Sequence, residues 1–145
     1  MAITTAMCSS FKQELLGGVH DLDTHTLKIA LIKASPSGTY GAATTNYSNV
    51  TGNSDEATGT NYSAGGQNLD GATIALSGTT AFLDFTDEVF STVTTSADGC
   101  IVYNSSASNK AIAVFDFGGT VSATAGDFTI QFPTANASNA IIRIA

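Results

Sequence analysis

Residues 110–132, KAIAVFDFGGTVSATAGDFTIQF, decide the fold class. From Ala111 to Phe115 every position is apolar, which suits a strand buried on both faces. Residues 127–132, DFTIQF, alternate instead: Phe128, Ile130 and Phe132 point inward, Asp127, Thr129 and Gln131 outward. Upstream, TLKIALIK (residues 26–33) sets Leu27, Ile29 and Leu31 against Lys28, Ala30 and Ile32, predicting a strand with one buried face. TIALS runs to the turn pair Ser77-Gly78, AFLDF follows, and TVTT reaches Asp98-Gly99, a pair favoured in tight hairpins. GCIVYN and the terminal AIIRIA complete the series, the latter placing the C-terminal residues in a sheet or an interface. Seven or more short strands at this spacing predict an all-β fold, an antiparallel β-sandwich or barrel, of which a jelly-roll-like sandwich is the expected form.

One short helix is expected near the start. Ser9 or Ser10 can cap it, Gln13 completes a capping box, and Gly17-Gly18 stops it. Phe11 and Leu15 then lie on one face, ready to dock on a sheet or a neighbouring subunit. Residues 1–18 read as an N-terminal arm and helix, and residues 19–145 as a single β-sandwich domain. Within it, residues 34–68 show no sustained period, and so long an irregular stretch is usually a functional loop.

The chain has 145 residues, 43% hydrophobic and 12% charged, with 14 glycines, two prolines and no tryptophan. Such a composition suits strands and turns rather than a helical bundle, whose exposed faces need Lys, Glu and Arg. Five basic residues against twelve acidic ones give a net charge of −7, and Arg143 is the sole arginine. No basic stripe exists to neutralise phosphates, so nucleic acid is not an expected partner. No apolar run approaches the roughly 20 residues of a membrane helix, and MAITTAMCSSFKQELL lacks the cationic-then-apolar order of an export signal. Synthesis in a cytoplasm and no membrane partner follow as expectations. Cys8 and Cys100 read as buried thiols, Cys100 from its place in the apolar run CIVY.

HDLDTH, residues 20–25, places two histidines and two aspartates in six positions. If it were extended, Asp21, Asp23 and His25 would share a face and could hold a metal, but no further histidine exists to complete a set. Lying between a Gly-Gly helix stop and a strand, the segment reads better as a polar turn. Asp84, Asp87 and Glu88 lack the order of a calcium loop and read as solvated turn carboxylates. No Ser–His–Asp order, no C-x-x-C pair and no phosphate-binding glycine loop is present; Gly65-Gly66 and Gly118-Gly119 lack the needed continuation. No catalytic residue, cofactor or metal is assigned, and the chain is read as a non-enzyme. Tyr40, Tyr47 and Tyr62, in the irregular region, either pack on their own domain or offer rings to a sugar or a protein partner.

FKQELLGGVHDLDTHTLKIALI, EATGTNYSAGGQNL, IVYNSSASNKAIAVFDFGG and FTIQFPTANASNAIIRIA together cover most of the chain. They resemble small β-rich structural proteins encoded among the head and tail genes of tailed bacteriophages. Gly59, Tyr62, Gly65, Gly66, Tyr103, Asn104, Lys110 and Ala111 are the most specific positions. The resemblance implies a virion component present in many copies: a capsid decoration, or cement, protein that binds the major capsid protein on the outer shell as a homotrimer. A tail or baseplate component and a carbohydrate-binding host-adhesion module are the competing readings. Residues 3–16 and 40–68 are the expected contact segments, with Ile3, Phe11, Leu15, Tyr40, Tyr47, Tyr62 and Ile144 as interface residues. The long N-terminal segment and the acidic, His-rich turn depart from the resemblance.

Overall fold

A computed structural model describes residues 2–145. In chain order it contains β1 (Ala2–Ile3), β2 (Ala6–Met7), α1 (Ser9–Leu16), β3 (Leu27–Lys33), β4 (Thr39–Tyr40) and α2 (Ser48–Gly52). β5 (Gln67–Asn68), β6 (Thr73–Ser77), β7 (Thr80–Asp84), β8 (Glu88–Asn104), β9 (Lys110–Ile130) and β10 (Ile142–Ile144) follow. The fold is mostly β. One sheet has the order β2-β9-β8-β3-β5, a second β10-β7-β6, and β1 pairs with β4 in parallel.

The long hairpin of β8 and β9 is the frame. Asn104 accepts from the N–H groups of Ser106 and Ala107, and Ser108 and Asn109 take positive φ, so the chain reverses within five residues. KAIAVFDF and DFTIQF are therefore two ends of one strand rather than two strands. Asp98-Gly99 likewise lies inside β8 and is not a hairpin turn. There the ladder steps from Gly99↔Asp116 to Ala97↔Val121, so residues 117–120 bulge out opposite Asp98. Asp98 holds the bulge by accepting from Thr120 Oγ1 and the Ser35 N–H. A Cβ on Gly99 would lie 2.9 Å from Ile3 Cδ1 and 2.3 Å from the Phe115 carbonyl, so the glycine serves close packing.

β3 is buried from Ile29 to Ile32 on both faces, not one, because the irregular region folds back over it. That region is ordered by its own core: Tyr40, Val50 and Ala57 are buried, and Val50 sits on α2. Gly66, at φ 69°, brings β5 against β3; a Cβ there would stand 1.8 Å from the Ile29 carbonyl oxygen. Gly66→Ala is expected to destabilise the fold by about 2–3 kcal/mol, read as a fall in the urea midpoint at unchanged slope.

Helix α1 starts at Cys8, not at a serine cap. No side chain caps it; the Ser9 N–H donates to the Ala42 carbonyl and the Cys8 N–H to that of Ile112. Gly17 ends it as expected. Phe11 is fully buried beneath it. Both cysteines are buried and unbridged, and burial pushes the Cys8 thiol up to about 11 and Cys100 higher still.

Candidate interaction surface

The polar side chains that could have carried chemistry are engaged with one another. The Glu56 carboxylate accepts from the hydroxyls of Tyr47 and Tyr62 and from the Gly65 N–H at 2.6 Å. Tyr62 Oη in turn accepts from the Leu31 N–H, and Tyr103 donates to the Gly65 carbonyl at 2.7 Å. The Tyr47 and Tyr103 rings stack at 4.5 Å, and Tyr62 leans on Phe90 at 5.6 Å. Burial and the neighbouring Glu56 carboxylate raise all three phenols, Tyr103 to about 12. Tyr40 is buried and donates to Asp55 at 2.6 Å. Tyr47 and Tyr62 thus fasten residues 34–68 to the sheet and Tyr40 ties the region to itself, so all three rings are engaged within the domain.

Asp55 is buried and accepts from the Ser37 and Gly38 N–H groups, Ser37 Oγ, Tyr40 Oη and the Lys33 ammonium. Burial alone would raise its pKa; the five donors hold it well below the usual carboxylate range. This is a structural knot.

HDLDTH forms a turn. Asp21 accepts from the Asp23 and Thr24 N–H groups and from the Thr24 hydroxyl, and the His25 N–H donates to the Asp21 carbonyl. The hydroxyl and N–H of Thr24 and the Asp23 N–H together lower the Asp21 pKa. The histidines turn inward: His20, buried, meets Glu14 at 2.8 Å and Asn104 at 3.0 Å, and His25 meets Asn104 at 2.9 Å. Glu14 also pairs with Lys110. The network links α1, the turn and the β8–β9 reversal. Among the described residues, no three His, Cys, Asp or Glu side chains are grouped to hold a metal. Of the second acidic group, Glu88 is buried rather than solvated. Its pKa is raised by burial and then by Asp70. Asp87 accepts from the Phe132 N–H.

What the interior does not absorb is an apolar surface. In the β10-β7-β6 sheet the register aligns Ile142, Leu83 and Ile74 in one row and Ile144, Ala81 and Leu76 in the next. Residues in one row share a face, so six apolar side chains lie on one side of this sheet; Leu83 and Ile142 are buried in the core, and the others run out from it toward solvent. Leu76 is 71% exposed, and Ile74 and Ile144 are each 54% exposed. Beside them, a hollow of about 440 Å³ between α1 and β10 is lined by Met7, Leu15, Leu16 and Ile144, and Leu16 is 92% exposed. Ile144 also borders a small cleft with Leu22, Ile74 and Leu83, which makes the surface continuous. Covering Leu16, Ile74, Leu76 and Ile144 would contribute about 1–2 kcal/mol each. A patch of this kind marks a binding surface.

Lys12 and Arg143 flank the hollow. Neither makes an ion pair among the described residues, whereas Lys33 and Lys110 do. A separate groove of about 390 Å³, lined by Phe115, Phe117, Phe128 and Phe132, opens beside the bulge of β9.

Of the residues expected at an interface, Ile144 lies on this surface and Leu15, half-buried, lines its hollow. Phe11 and Tyr40 are buried, and Ile3, Tyr47 and Tyr62 pack against the core. Leu16 ends the expected contact segment 3–16, whereas Ile74 and Leu76 were legible only once a register was known. The signal of these two is ATIALSGTTAFL, residues 72–83, which contains no charged residue. Comparison with protein-family models, curated proteins and solved structures yields no match.

Proposed function

We propose that this chain is a structural protein of a tailed-phage virion, a capsid decoration protein that binds the major capsid protein on the outer shell as a homotrimer. The observation that carries a binding role is the contrast between polar groups closed into internal networks and an apolar surface left open. The virion assignment is supported by the resemblance of the quoted segments. In the same reading, the two antiparallel sheets are the layers of a β-sandwich. Clamping a shell needs no bond chemistry; contacts of modest strength, summed over several subunits, give high avidity.

The test is co-sedimentation of the purified protein with phage heads that lack it. Saturable binding at a fixed ratio to the major capsid protein, with raised thermal stability of the head, is expected. Absence of binding to heads, with binding to tails, would overturn the decoration assignment.

A further inference from the structure

We propose that the surface made by β6, β7, β10 and the end of α1 is the self-association interface, covered by the same surface on further copies of this chain. The inference deepens the proposed function and rests on its reading of an oligomeric shell component. Three observations choose another copy as the occupant.

The first is backbone. With the order β10-β7-β6, the outer side of β6 faces no strand. Its sequence, TIALS, has no lysine, proline or bulge of the kind that protects an open edge. The β10 edge of another copy supplies matching N–H and C=O groups, a head-to-tail contact that can close a ring of three.

The second is side-chain pattern. Leu76 and Ile74 are two residues apart on one face, in register with Ile144 and Ile142 across β7. Ile74, Leu76 and Ile144 are the members of these rows left exposed; repeated about a threefold axis, the same side chains of three copies converge and cover one another through heterologous contacts.

The third is charge. Two molecules each carrying −7 repel, and residues 72–83 form a charge-free stretch where they can meet. Around it, Lys12 and Arg143 lack acidic partners within the described chain, while Asp70 and Asp84 border the hairpin. A second copy brings carboxylates to those cations; the self-interface is complementary in charge as well as in shape.

The experiment is light scattering and sedimentation on the full chain and on Leu76→Asp and Leu16→Asp. Both side chains are exposed, so circular dichroism should stay at the wild-type value, while Tm should fall only by the stabilisation that association gives the wild-type chain and lose its dependence on protein concentration. The wild-type chain is expected to be oligomeric, and each variant to associate roughly tenfold more weakly or worse. A wild-type monomer, or both variants at wild-type mass with wild-type concentration dependence, would overturn the inference. Head binding, measured separately on the same proteins, tells the two readings apart. Variants that stay oligomeric and still bind heads sink this interface and keep the decoration role. Monomeric variants, with a wild-type oligomer that ignores heads, do the reverse.

Discussion

Asp55→Ala is expected to cost about 3–4 kcal/mol of stability. The substitution leaves the Ser37 and Gly38 N–H groups and the Tyr40 hydroxyl without their acceptor in a buried site, and Lys33 without its counter-charge. Chemical denaturation at neutral pH measures it. The pH dependence gives a second signature. Because the folded-state pKa of Asp55 is lowered from its ordinary 3.8, its contribution is fully present above that value and is lost as pH falls below about 4. Glu88, with a raised pKa, works in the opposite sense: its contribution is lost as pH rises through its folded-state value. The acid limb of the wild-type stability curve should therefore be steeper than that of Asp55→Ala. Equal limbs would show that the knot around Asp55 is not charged in the folded state.

Phe11→Ala is expected to cost about 3–5 kcal/mol, the range for deleting a fully buried aromatic side chain. Phe11 anchors α1 on β9 and meets the His20 ring edge-on at 5.0 Å, so its loss also loosens the turn network of Glu14, His20 and Asn104. The variant separates two roles for the helix. As a core anchor, Phe11 should set stability, with head binding retained at temperatures where the variant is folded. As a contact residue it would lower head binding at unchanged Tm. The same comparison on Leu16→Asp should give the opposite result, since Leu16 carries almost no packing within the monomer.

The β-rich class was readable because short apolar runs such as TLKIALIK and the alternation in DFTIQF report strands directly, although the second buried face of TLKIALIK depends on residues 34–68 folding over it. The β6–β7 hairpin was equally plain, with the turn at Gly78 in positive φ. Strand number was not, because Asp98-Gly99 has the chemistry of a turn yet serves a bulge. The distinction depends on Ile3 and Phe115 packing over Gly99, far away in sequence. Serine caps failed for a similar reason: the first turn of α1 is satisfied by carbonyls from residues 42 and 112. The turn at HDLDTH was legible from its Asp residues, but the burial of His20 against Asn104 spans 84 positions and no local pattern encodes it. For the interface, sequence pointed to the helix segment 3–16, to Ile144 and to aromatic rings in the irregular region. The structure spends those rings on Glu56 and Asp55 and leaves Ile74, Leu76 and Ile144 of the β10-β7-β6 sheet exposed. Exposure is a property of register and strand order, and neither can be read one strand at a time.

The most direct test of the proposed role is cryo-electron microscopy of phage particles saturated with the purified chain. Density is expected on the outer face of the head, three copies grouped at the local threefold positions, with β6, β7 and β10 turned toward one another. Density confined to the tail, or copies on the head that meet through residues 40–68 with the β6 edge facing solvent, would contradict it.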